Sequence, residues 1–263
     1  MIKIFQKLRK RLIAEGNLRR YLIYAFGEIL LVVIGILIAL QINDWNQNRI
    51  NAKEEQRISQ DILDGFQLSR FLFKKGIGTW ETVIGNADTL LMIINNPSIR
   101  PEDEKLEMHL HLLTLQWMSG TSTTIYDVLA NSGDLEIISS DLLRNNLAEL
   151  KYQMEHLNHS EDSYVQFVNR EFRPFLNQFV DRTALRGNYV KGQWIISYHP
   201  SPFGSSFDDL IQSREFANLL ADLIESSNKM INVYHRLEKV IDQMDSLILA
   251  KYPSMQAKPY IPK

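Results

Sequence analysis

Cysteine is absent from the 263 residues. That excludes a disulfide scaffold, a thiolate zinc site, an iron–sulfur cluster and a cysteine nucleophile. Glycine (12) and proline (8) are scarce, which argues against a turn-rich β-sandwich or barrel. No phosphate loop, dinucleotide fingerprint, Gly-x-Ser-x-Gly or His-Glu-x-x-His run is present, so the common sequence signatures of nucleotide and hydrolase chemistry are missing. What is there is apolar: 45% of residues are hydrophobic and 23% charged. Such a chain has surface enough to bury and is not a disordered or collagen-like one. Its length suits one sizeable domain or two small ones.

The net charge of −2 hides an asymmetry. Residues 1–20 carry seven cations (Lys3, Lys7, Arg9, Lys10, Arg11, Arg19, Arg20) against one anion, Glu15. Residues 43–263 carry 22 cations against 29 anions. An acidic body is a poor nucleic-acid binder, because phosphate neutralisation drives that affinity. No nucleic-acid partner is expected.

Between the two lies a run from Tyr21 to Leu40 in which only Glu28 is charged. As a helix it spans roughly 30 Å, the hydrocarbon thickness of a bilayer. Tyr21, Tyr24 and Trp45 flank it, where interfacial aromatics belong. Three other readings compete. A buried core helix has no need of seven flanking cations. A cleavable signal peptide needs a small-x-small site, which Gln41-Ile42-Asn43-Asp44-Trp45 does not supply. A peripheral amphipathic helix needs a polar face, and this stretch is apolar nearly all round. The expectation is an uncleaved signal anchor. The positive-inside rule puts residues 1–20 in the cytoplasm and the body outside it. Within the head, Ile2, Phe5, Leu8 and Leu12 recur at helical spacing, which suits a short helix on an anionic leaflet. A disordered basic tail is the alternative.

Glu28 stands well inside the span, where a charge is expensive. Glu28, Val32, Gly35 and Ala39 step by 4, 3 and 4 and share one helix face. Gly35-x-x-x-Ala39 is a small-xxx-small pattern that permits close helix approach. Two readings stay open for Glu28: a proton or ion path at a helix–helix interface, or a carboxyl kept protonated or hydrogen-bonded to a partner as assembly glue. Both expect another transmembrane helix, from a second copy or a different protein, as partner within the lipid bilayer.

The run Gly27-Glu28-Ile29-Leu30-Leu31-Val32-Val33-Ile34-Gly35-Ile36-Leu37-Ile38-Ala39-Leu40-Gln41-Ile42-Asn43, with Trp45-Asn46 after it, resembles the signature of a domain-of-unknown-function family of single-pass membrane proteins common in Bacteroidota. A weaker match is Tyr126-x-x-Leu129-x-x-Ser132-Gly133-x-Leu135-x-x-Ile138. Together the two cover about an eighth of the chain. Asp44 stands where the family more often has Asn. The resemblance implies a bacterial inner-membrane protein with a helical periplasmic domain, and it implies no activity.

The body reads as helical. Residues 43–57 hold no helix breaker and few apolar groups; they continue the membrane helix as a solvated stalk, a flexible linker being the alternative. Ile58, Ile62, Phe66, Ser69, Phe73 and Ile77 mark one apolar face, and Trp80, Val83, Ile84, Ala87, Leu91 and Ile94 the next. Pro97 and Pro101 break the chain, and Glu102-Asp103-Glu104 suits a new helix start. Leu106, Leu110, Leu113 and Trp117 continue from it. A short helix over Thr124–Asn131 is expected to end at Gly133 in a left-handed cap, with Ser139 or Ser140 capping the next helix.

Two stripes then keep heptad spacing. One runs Leu143, Leu147, Leu150, Met154, Leu157, Glu161, Tyr164, Val168, with Glu161 the exception. The other runs Phe216, Leu220, Leu223, Ser227, Met230, Tyr234, Leu237, Ile241, Met244, Ile248. Leu219, Ile224, Ile231 and Leu247 widen the second stripe beyond a two-stranded coiled-coil seam. The expected architecture is all-α: a basic segment 1–20, one N-terminal transmembrane helix over 21–42, a helical stalk over 43–57, an antiparallel helical bundle over 58–252, and a C-terminal tail over 253–263, frayed from Lys258 to Lys263.

Residues 183–206 break the pattern with a long loop bearing Tyr189, Trp194, Tyr198 and Phe203. It is either a partner-binding loop or a cap on one end of the bundle. His156 and His159, beside Glu155, have a metal-edge spacing but lack the second Glu-x-x-His pair of a di-iron bundle. Ser226-x-x-Lys229 matches a serine–lysine nucleophile spacing without its companion motifs. No metal, no cofactor and no enzymatic activity are expected. The functional expectation is a membrane-anchored interaction or scaffold module. The alternatives are a sensor input domain and an accessory subunit of an ion-driven complex using Glu28.

Overall fold

The computed structural model describes residues 18–120, 124–183, 185–190, 193–198 and 203–261. The basic head, and with it the pattern of Ile2, Phe5, Leu8 and Leu12, lies outside the described residues. The chain divides into two units, Met1–Gln56 and Arg57–Lys263.

Helix α1 runs without interruption from Leu18 to Asn95. In the first unit it contains the stretch long and apolar enough to cross a membrane, with a mean hydropathy of 2.5 over its best window and none of that window buried by the chain. Ile29, Leu31, Ile34, Leu37 and Ile42 all present large apolar side chains outward. Beyond this stretch Trp45 is also exposed, and the Arg49 guanidinium lies 5.7 Å from its ring centroid. That is a cation–π contact at the point where the sequence turns polar.

The second unit is built on three long helices: α1 from Arg57 onward, α4 (Asp141–Phe167) and α7 (Arg214–Lys251). Their stripes face one common core. Leu143, Leu147, Leu150, Met154, Leu157, Glu161 and Tyr164 of α4 are all buried. So is every member of the α7 stripe, joined by Val233 and Leu219. Gly76 of α1 lies against Tyr234, and Arg70 against Asp242 and Asp245, so α1 and α7 run antiparallel. Glu161 meets Tyr234 and Ser139 meets Lys251, so α4 and α7 are antiparallel too. It follows that α1 and α4 are parallel, and the chain must return between them. The return carries a 3₁₀ turn (Pro97–Ile99), α2 (Asp103–Leu113), α3 (Thr124–Ser132) and a second 3₁₀ turn (Asp134–Glu136).

Local signals act as their chemistry requires. Gly133 takes φ 80°, the left-handed value that closes α3. The Ser140 hydroxyl accepts from Leu143 N at 3.2 Å and caps α4. The Ser213 hydroxyl accepts from Phe216 N at 3.3 Å and caps α7. Pro174 has no N–H for the helical ladder. The turn before it, Val168–Phe172, widens into a π-turn before the short α5 (Arg173–Leu176).

Three expectations need correction. On α1 the buried positions are Leu90 and Ile93, while Leu91 and Ile94 sit at the margin of the core and Leu63 is wholly inside it. Packing selected the neighbouring positions, since Leu90 and Leu91 are equally apolar. The stretch 183–206 is not all loop: β1 (Leu185–Val190) and β2 (Gln193–Tyr198) pair as an antiparallel hairpin. It is followed by α6 (Phe207–Ile211). The tail is not frayed as far as Ile261. Met255 is buried, Lys258 N donates to Asp64 at 2.8 Å, and the Tyr260 ring lies 5.3 Å from that of Phe71.

Candidate functional site

On α1, Glu28, Val32, Gly35 and Ala39 occupy one face by helical geometry, and all four are exposed. A Cβ placed on Gly35 meets nothing within 4 Å. The face is therefore apolar and narrow at Gly35, with one carboxyl upon it, and none of the described residues covers it.

Tyr189 and Trp194 are directly paired across the hairpin, one step from its tip, and Tyr198 pairs with Leu185 at the far end. Phe203 lies beyond the strands and is 71% exposed. The hairpin had a legible signal. Asn188-Tyr189-Val190 and Gln193-Trp194-Ile195-Ile196 are rich in β-branched and aromatic residues, and only Lys191-Gly192 separates them.

The two weak catalytic patterns lie apart from any such arrangement. His156 and His159 are exposed on α4, their carbonyls accepting from Ser160 and Ser163. Lys229 Nζ is 2.5 Å from Glu225 Oε1, an exposed pair within α7.

The centre of the bundle holds a polar group that the heptad reading marked without explaining. Glu161 is 1% exposed. Its Oε1 accepts from Tyr234 Oη at 2.6 Å, and Ser119 N donates to both carboxyl oxygens at 3.1 Å. Burial raises its pKa above the ordinary glutamate range, and the donors Tyr234 and Ser119 offset only part of that. Tyr234 is itself pushed up, first by burial and then by the adjacent Glu161. Around them Trp80 and Tyr164 make an edge-on ring contact at 4.6 Å. Trp80 Nε1, Tyr164 Oη and Ser227 Oγ are buried beside them.

This cluster ties α4, α7 and the segment after α2 at one level. A buried acid with directional partners costs stability but excludes helix slippage, because any one-turn shift strands its donors. A signal for it exists in the sequence: Glu161 breaks one apolar stripe, and Ser227 and Tyr234 break the other.

Comparisons of the chain with protein families, with curated proteins and with solved structures return no match.

Proposed function

We propose that this chain is a membrane-anchored helical interaction module of a bacterial inner membrane, with residues 1–20 cytoplasmic and the bundle periplasmic, and that it carries no enzymatic activity. It assembles through the face of Glu28, Val32, Gly35 and Ala39 with a second transmembrane helix, from another copy or a different protein. The observation that carries this reading is a span-length apolar surface that the described residues leave uncovered, with a glutamate inside it. Hydrocarbon gives no hydrophobic reason for helices to meet, so small residues and a shared polar group have to supply the contact. The basic flank supports the orientation, and the likeness to the Bacteroidota family supports the compartment.

Mild cross-linking in native membranes, followed by mass spectrometry, tests the reading by naming the helix beside residue 28. Glu28→Gln is expected to lower the mass of the detergent-extracted assembly. Full release of the intact protein by an alkaline wash, or unchanged assembly and cross-links in the Gln variant, would overturn it. Glu28 also supports the second reading, an accessory subunit of an ion-driven complex. That reading predicts that the Gln variant keeps its partner and loses ion-dependent function.

A further inference from the structure

The face of Glu28, Val32, Gly35 and Ala39 does not stop at the end of the span. Helix α1 is unbroken there, and the alternating steps of 3 and 4 continue through Ile42, Asn46, Arg49 and Lys53. Every residue on this line belongs to the first unit and is exposed. A straight α-helix drifts about 20° per heptad from such a line. A partner that follows the seven-residue repeat therefore wraps with a left-handed crossing and stays in contact as the helix leaves the membrane.

The outer end of the line is cationic. Arg49 leans on the Trp45 ring at 5.7 Å, and neither Arg49 nor Lys53 forms an ion pair among the described residues. Asn43, Trp45, Ile50 and Ala52 flank the line along the stalk, and none is acidic. The acids of this stretch lie off the line. Asp44 is on the far side of the helix, and Glu54 and Glu55 follow Lys53 by about 100° and 200°. Every copy of the chain inserts in one orientation, so two copies would pair in parallel and each line position would face itself. Arg49 would oppose Arg49, and Lys53 would oppose Lys53, in successive layers with no acid beside them. Repeated like charge on a contact line is how helices exclude a pairing.

We propose that the partner of this span is a different membrane protein, not a second copy, and that its helix presents aspartate or glutamate opposite Arg49 and Lys53 just outside the bilayer. This identification of the partner rests on the membrane assembly proposed above. Anionic lipid headgroups are the competing source of negative charge. Arg49 stands roughly 10 Å and Lys53 roughly 16 Å beyond Ile42 along the helix axis. The headgroup layer adds only about 5–8 Å to each side of the hydrocarbon. Lys53 is therefore past the phosphates, where a protein partner can reach it and a lipid cannot.

The chain itself provides the probe. The charge-reversed variant Arg49→Glu/Lys53→Glu carries the acids that such a partner needs. Two differently tagged full-length chains are reconstituted together in phosphatidylcholine nanodiscs, and recovery of one through the tag of the other is measured. The native chain is expected to recover the reversed variant about tenfold better than it recovers itself. The variant is expected to recover itself no better than the native chain does. Gly35→Leu in both chains is expected to abolish the preference. Equal recovery of native and reversed chains by the native chain overturns the proposal, and so does a preference that survives Gly35→Leu. Loss of the preference in phosphatidylglycerol overturns it too, because the two cations would then answer headgroups. Cross-links at residue 28 in native membranes report the assembly separately. If they persist without the charge preference, only the identity of the partner falls; if they are also missing, the assembly falls with it.

Discussion

Gly76 of α1 lies directly against the ring of Tyr234 of α7. A Cβ on Gly76 would stand 2.6 Å from Tyr234 Cζ and 2.7 Å from its Oη. The ring cannot simply swing aside, because its hydroxyl is tied to Glu161 at 2.6 Å. The close approach of α1 to α7 and the buried carboxyl are therefore one arrangement. Ala normally improves an exposed helix by up to about 1 kcal/mol over Gly, while overpacking a filled core costs about 1–3 kcal/mol. At Gly76 the clash wins. Gly76→Ala is expected to destabilise the bundle by about 1–2 kcal/mol in urea unfolding. Gly85→Ala, where a Cβ meets nothing within 4 Å, is expected to stabilise it by about 0.5–1 kcal/mol. Shifts of the same sign at both positions would contradict this account.

Glu161 makes stability depend on pH in a defined direction. Its folded pKa is raised by burial, so the folded chain holds this proton more tightly than the unfolded one. The group's contribution to stability is then greatest at low pH. It is lost as pH rises from the ordinary glutamate value of about 4.3 through the raised one. Glu161→Gln cannot ionise, so the stability difference between the native chain and this variant must change across that window, with the native chain losing ground as pH rises. Denaturant titrations of both proteins at a series of pH values measure it. Parallel curves would mean that Glu161 ionises in the folded chain as it does in the unfolded one.

How much of this was legible depended on whether the signal was local. The stripes of α4 and α7 were readable residue by residue, because a heptad of Leu and Met leaves no other buried face. The caps at Gly133 and Ser140 were readable for the same reason. On α1, Leu90-Leu91-Met92-Ile93-Ile94 is apolar at five successive positions, so periodicity alone did not choose among them. The docking contacts of Met255 and Tyr260 join residues far apart in the sequence. No spacing rule encodes them. The hairpin was missed for another reason: its strands are only six residues each, and aromatic residues in a helical chain read easily as loop.

The C-terminal segment gives a third prediction. Met255 is 8% exposed, and Gln60 Nε2 donates to Gln256 O at 2.9 Å. Deleting residues 253–263 removes the Met255 burial, worth roughly 1.5–3 kcal/mol before the entropy of ordering the tail is set against it. A net loss of about 1–2 kcal/mol is expected, with little change in the denaturant slope. Part of it is acid-labile. Asp64 is held below its ordinary pKa, chiefly by the Lys258 backbone N–H. Its share is therefore present above the ordinary aspartate value and fades as pH falls through the lowered one. The deletion should cost less at pH 3 than at pH 7, and an equal or larger cost at pH 3 would place the tail's contribution elsewhere.

The last prediction separates the shape of the membrane face from its charge. Gly35 offers no side chain, and among the described residues nothing beyond its own turn of helix lies within 4 Å of where its Cβ would be. Gly35→Leu therefore cannot strain the isolated helix; by propensity it should strengthen it. Its cost can fall only on a partner helix that needs close backbone approach. The expected outcome is an undiminished level of membrane-inserted protein, unchanged thermal melting of the bundle, and a shift of the detergent-extracted species toward lower mass. Ile36→Leu, one residue along and about 100° round the helix, is the matched control and should leave the mass unchanged. If both substitutions act alike, or neither acts, then the small-residue face at Gly35 and Ala39 is not where the span meets its partner.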